Sequence, residues 1–214
     1  MSSGVSYPAD EVPFPAKATP GQAYSLAAIV LHWTIALLIL IQIGLGWYMN
    51  EAVPDHSPAQ AAVLPLHISV GLTILLLVLV RIGVRLVHRP PPLPDDMAAW
   101  EKGLAGASHL VFYLLMLALP LTGWALVSLG GKPIAFWGLP WPQLPGMGAV
   151  FGSPPSHALR HQLSHIHVYI LIWVILINLV LHVAGALKHQ FDGHPILWRM
   201  TSRKPPRVGG GAEA

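Results

Sequence analysis

The chain has 214 residues, of which 54% are apolar and only 10% charged, with a formal net charge of +3. An average soluble domain carries roughly 25% charged residues, so this chain lacks the polar surface that a water-soluble fold needs, and a membrane solvent is the direct reading. The small positive balance argues against a nucleic-acid partner. The absence of cysteine excludes disulfides, thiolate-held iron, covalent c-type haem attachment and cysteine-held iron–sulfur clusters.

Residues 1–21 hold four prolines and no apolar stretch, and read as a disordered cytoplasmic lead-in without a secretory signal. Four apolar stretches follow at about residues 24–49, 66–87, 104–129 and 162–187, each near the length of about 20 residues that a helical bilayer crossing requires. The first has no charge between Lys17 and Glu51, and the second carries Arg81 and Arg85 at its far end. The third holds His109 as its only acidic or basic group, and the fourth is uncharged apart from histidines. Residues 22–200 therefore read as one all-α domain, an integral membrane four-helix bundle without internal repeats. Residues 201–214 read as a flexible cytoplasmic tail.

The connections set the orientation. The first loop, residues 50–65, has Glu51 and Asp55 but no Lys or Arg. The second, with the end of the second span, has Arg81, Arg85, Arg89 and Lys102. The tail has Lys188, Arg199, Arg203, Lys204 and Arg207. By the positive-inside rule both termini and the second loop are cytoplasmic. The Pro-rich segment after His88 is extended and ends the second helix. The third loop, residues 130–156, is rich in Pro, Gly and Trp, and its Trp137 and Trp141 suit a structure resting at the outer interface.

Twelve histidines in so apolar a chain are the chemical signal, because an ionisable residue inside a span is costly and marks a site by default. His32 lies in the inner half of the first span and His182 in the inner half of the fourth. His67 opens the second span at its outer end, near the depth of His167. Positions 167 and 182 are fifteen residues apart, about 22 Å along a helix and roughly 60° apart around it. His165 comes out about 100° from His182, and His161 sits a turn and a half further out than His167, so His167 is the better outer candidate. Pairs separated by half a membrane suit a macrocycle with two axial positions. A structural zinc site needs about four ligands at one point. Taken singly, each histidine also reads as an interhelical hydrogen-bonding residue.

The residues resemble a known family. Tyr24-Ser25, Leu31-His32-Trp33, Leu66-His67 with Gly71, Val80-Arg81, Gly106 to His109, Tyr113, Gly123 and Gly131-Lys132-Pro133-Ile134 follow in order. Leu181-His182, Ala186-Leu187-Lys188-His189-Gln190-Phe191 and Leu197-Trp198-Arg199-Met200 complete the set. Over roughly residues 24–200 the chain resembles the bacterial cytochrome b-561 family, related to the b-type subunits of nickel hydrogenases. The resemblance implies a four-helix bundle in the bacterial inner membrane with two non-covalent b haems, whose axial ligands map to His32, His67, His167 and His182. The family usually sets the last two one residue closer than here, a difference that one π-bulge absorbs.

That reading implies electron transfer between a quinone, ubiquinone or another, and a partner on the outer side. Some members are superoxide oxidases that pass electrons to ubiquinone. Arg81 reads either as a haem-propionate contact or as an orientation charge, together with Arg85. Lys132 and Arg160 read as outer propionate contacts, as cations that draw in superoxide, or as solvated loop charges. His109 reads as a quinone or propionate contact or as a packing residue. Trp33 and Trp173 read as packing against haem or neighbouring helices. Two other functions fit the same sequence: the haem subunit of a larger dehydrogenase or hydrogenase, and a haem-free membrane scaffold or transport protein. The sequence does not set the oligomeric state.

Overall fold

The computed structural model describes residues 23–88, 90–93, 97–131, 133–147, 151, 156–192 and 196–201. The expected lead-in, nearly all of the expected tail and Lys132 lie outside the described residues.

Four long apolar helices dominate the described residues. α1 runs Leu26–Ala52, α2 Pro58–Val87, α3 Ala99–Leu129 and α4 His157–Phe191. All four are long and apolar enough to cross a membrane. Serines start three of them by accepting a free first-turn amide. Ser25 Oγ accepts from the Ala28 amide, Ser57 Oγ from Gln60 and Ser156 Oγ from Leu159, each at 3.2 Å. Pro58 follows Ser57 at the first helical position of α2, where its missing N–H costs nothing. The helices outrun the apolar stretches read from the sequence. α2 starts at Pro58 rather than near 66, and α4 at His157 rather than near 162. Hydropathy reports the thickness of the hydrocarbon, whereas the caps determine where the helix starts.

Helices adjacent in the chain pack in sequence, α1 on α2, α2 on α3 and α3 on α4. The core of Ile35, Val70, Ile74, Val78 and Met116 belongs to the first three helices. α4 lies outside that cluster. It is pinned to α3 by Ser108 Oγ donating to Asn178 Oδ1 (3.0 Å) and by Asn178 Nδ2 donating to the Ser108 carbonyl (3.1 Å). α1 and α4 expose Leu37, Leu40, Ile177 and Val180, as helices solvated by lipid do. Trp173 on α4 is 62% exposed, so of the two expected packing partners, haem or a neighbouring helix, no helix covers it.

One end of the bundle gathers the start of α1, the end of α2, the start of α3 and the end of α4. There Arg81 Nη1 donates to the Ala28 carbonyl at 3.0 Å, and Lys188 Nζ bridges Glu101 (2.8 Å) and Asp192 (2.6 Å). A short helix α5, Trp198–Thr201, closes this end, with Trp33 Nε1 donating to the Met200 carbonyl at 2.7 Å.

The opposite end carries a feature absent from the all-helical expectation. The loop after α3 folds into a two-stranded hairpin, β1 Ile134–Phe136 and β2 Leu139–Trp141, paired antiparallel with Phe136 opposite Leu139. Trp137 and Gly138 form its two-residue turn with φ of 51° and 85°, the positive pair of a type I′ hairpin. Trp137 is bulky for that conformation but is held by α2. Its amide donates to Ser69 Oγ and its indole Nε1 to Thr73 Oγ1, both at 3.0 Å.

Candidate functional site

The fold brings the histidines together in pairs at two depths. His32 of α1 faces His182 of α4, with ring centres 6.3 Å apart. His67 of α2 faces His167 of α4, also with ring centres 6.3 Å apart. A metal–imidazole nitrogen bond is about 2.0 Å and the ring centre lies roughly 1.2 Å beyond the nitrogen, so two trans imidazoles on one metal have centres about 6.4 Å apart. Both pairs stand close to that separation. His109 also reaches the first pair, but its ring centre is only 5.4 Å from that of His182, in edge contact and too close to stand trans across a metal.

α4 accommodates the fifteen-residue interval with a local change of helix. Residues Ile166–Leu171 form a π-helical turn that includes His167. The extra residue this turn holds rotates what precedes it, and it is one of the two ways in which the interval could depart from the family's usual spacing. His161 and His165 of the preceding turn are exposed, and His165 packs on Tyr169 instead.

Two glycines supply the space around the second pair. A Cβ added at Gly123 of α3 would lie 3.1 Å from His167 Cε1, and one at Gly46 of α1 would lie 3.4 Å from His67 Cε1. Bare backbone flanks each imidazole, closely enough at Gly123 that a Cβ would crowd His167, while one at Gly46 would only touch His67. Gln42, one turn before Gly46, donates from Nε2 to the His67 carbonyl at 3.0 Å. His67 Nδ1 itself is buried with no hydrogen-bond partner among the described residues. Thr122 Oγ1 lies 2.9 Å from His167 Nδ1. Gly46, Gln42 and Thr122 were not singled out by sequence reasoning, and Gly123 was noted without a role.

Around the first pair the surroundings are aromatic and cationic. Trp33 lies edge-on to His32 (5.2 Å) and Phe112 edge-on to His182 (5.3 Å). Arg81 Nη2 is 3.5 Å from His32 Nδ1, and Arg85 lies 5.6 Å from the Tyr113 ring centre. Arg81 and Arg85 line a small cavity with Tyr24, His88 and Tyr113. Two guanidinium groups beside phenolic hydroxyls make this a lining suited to a carboxylate or a carbonyl oxygen. Arg160 is at the hairpin end, exposed, with its guanidinium beside Gly130 at the C-terminus of α3.

An apolar bundle with histidines paired across its helices is the arrangement of a membrane b-type cytochrome. The chain belongs to the prokaryotic cytochrome b561 family, whose model matches residues 23–203, and so to a group of haem-binding electron-transport proteins. It is similar to cytochrome b561 homolog 2 of Escherichia coli, 28% identical over 88% of this chain and 96% of that protein. A probable superoxide oxidase of Yersinia pestis is 32% identical over 56% of this chain and 66% of that protein. A cytochrome b562 of Cereibacter sphaeroides is 38% identical over 50% and 69%.

The 5.4 Å contact of His109 carries a prediction. Replacing His109 with Ala should leave haem per chain unchanged by pyridine haemochrome, because the histidine stands beside the pair rather than within it. Loss of a haem would instead make His109 a ligand.

Proposed function

We infer that the chain carries electrons across the bacterial inner membrane through two bis-histidine b haems, one held by His32 and His182 and the other by His67 and His167. The observation that carries this reading is the equal 6.3 Å separation of the two pairs, placed at opposite ends of the bundle. A haem iron with two imidazole ligands has no open coordination position and exchanges single electrons without rearranging its ligands. The protein holds four neutral imidazoles in place, excludes water with apolar helices and sets the charge at each end.

The charges also favour an orientation. The end with Arg81, Arg85, Lys188 and Arg199 faces the cytoplasm with both termini, and the loop with Glu51 and Asp55 lies outside with the hairpin. The His32–His182 pair is then the inner centre and the His67–His167 pair the outer one. The cavity lined by Arg81 and Arg85 serves inner propionates or a quinone head group, and His109 lies beside the same pair. Arg160 is a cation on the outer side.

Within this reading the favoured activity is superoxide oxidation coupled to quinone reduction. Two superoxide anions give up one electron each and leave as dioxygen, and one ubiquinone takes up those two electrons with two protons. The test supplies superoxide enzymatically to the detergent-purified protein with a soluble ubiquinone analogue. The expected result is haem reduction abolished by superoxide dismutase, with about one quinol formed per two superoxide consumed. Quinol formation no faster than in the protein-free control would reject superoxide as donor. Arg160→Ala in the same assay should slow haem reduction and flatten its dependence on ionic strength. An unchanged rate and slope would leave Arg160 as a solvated loop charge.

A further inference from the structure

We propose that Thr122 is a positioning residue for His167, fixing the imidazole as the Nδ1–H tautomer so that Nε2 presents its lone pair to the metal. The proposal rests on the bis-histidine reading of the outer pair and adds a determinant of that centre's reduction potential.

The argument is an inventory of one hydroxyl. Thr122 Oγ1 lies 2.7 Å from the Ala118 carbonyl, 3.0 Å from the Leu119 carbonyl and 2.9 Å from His167 Nδ1. A threonine hydroxyl has one proton and two lone pairs, and a carbonyl oxygen only accepts. The proton is therefore committed to the helix carbonyls, and the lone pairs face Nδ1. Nδ1 must donate. In a neutral imidazole the other nitrogen, Nε2, is then unprotonated and free to ligate.

The placement of Thr122 supports this role. Gly123, the next residue, has no side chain where a Cβ would lie 3.1 Å from Cε1 of the same ring and 3.6 Å from Nε2. One residue holds an edge of the ring and its neighbour leaves the flank open. The other histidines with a described Nδ1 environment differ. His67 Nδ1 is buried without a partner among the described residues, and His32 Nδ1 has the Arg81 guanidinium at 3.5 Å, the outer limit of a hydrogen bond. An acceptor on the distal nitrogen makes an imidazole more basic and favours the more oxidised metal. Thr122 therefore holds the midpoint potential of the outer haem down.

The test compares Thr122→Val, which keeps the branched shape and loses the hydroxyl, with Thr122→Ser, which keeps the hydroxyl. Haem per chain, a potentiometric titration and the low-temperature EPR signals are measured on purified holoprotein. In Thr122→Val we expect two haems, with one midpoint raised by a three- to tenfold change in its reduction equilibrium, tenfold being 59 mV for one electron. One low-spin EPR signal should shift with it, and Thr122→Ser should match the unsubstituted protein in both. Unchanged midpoints in Thr122→Val, or a shift of equal size in Thr122→Ser, would overturn the proposal. If Thr122→Val loses a haem, Thr122→Ser decides. Two haems at the original midpoints uphold the role of the hydroxyl, and any other result refutes it. Fewer than two haems in the unsubstituted protein would remove the bis-histidine reading itself, and this role with it, before any variant is compared.

Discussion

His167→Ala should purify with one haem per chain instead of two, because it removes one of the two imidazoles that face each other at the outer end. The haem that remains should keep the spectrum and midpoint of the inner centre, since His32 and His182 lie about 22 Å further along the bundle. His182→Ala should give the complementary result. Haem quantified against protein, with a potentiometric titration to identify which centre survives, checks both variants. Two haems retained in His167→Ala would remove that histidine from the ligand set.

The second large effect comes from a residue that need not touch iron. At Gly123 a Cβ alone would lie 3.1 Å from His167 Cε1, closer than side chains normally approach, and the neighbour is a ring already tied to Thr122. A branched side chain has nowhere to go without pushing the imidazole out of line. Gly123→Val should weaken the outer haem by about 10–100-fold in affinity, the range for losing ligand support, and leave the inner haem in place. Gly46→Ala is the control, because its Cβ would sit at 3.4 Å from His67, an ordinary contact, and both haems should remain. Dissociation measured by transfer of haem to an acceptor protein reads both variants. Equal retention in Gly123→Val and the unsubstituted protein would show that the bare backbone at 123 is not required.

Particular residues show what the sequence carried and why the remainder escaped it. A helix advances 1.5 Å and 100° per residue, so depth and rotation group His32 with His182 and His67 with His167. Those are the rings the fold sets 6.3 Å apart. Against the family's usual spacing, the fifteen-residue interval left either a π-bulge or a different outer ligand, and a π-helical turn is present at Ile166–Leu171. Span boundaries were less legible, because apolarity stops at the edge of the hydrocarbon while a helix capped by Ser57 and Pro58 continues into water. The hairpin escaped because Trp137 is a poor signal for a turn needing positive φ; the contacts with Ser69 and Thr73 that hold it are distant in sequence. Thr122 escaped for a related reason. A threonine in an apolar helix reads as an ordinary residue bonding its own backbone, and its histidine partner is 45 positions away. Its one local hint was the adjacent Gly123, beside which His167 of α4 sits.

The measurement that tests the central claim most directly is a reduced-minus-oxidised optical spectrum of the detergent-purified protein, with haem quantified per chain. Two low-spin b haems per chain, resolved as two midpoints in a titration, are the predicted result. A colourless protein, or one that saturates at a single haem, would contradict the assignment of His32 with His182 and His67 with His167 as two electron-transfer centres.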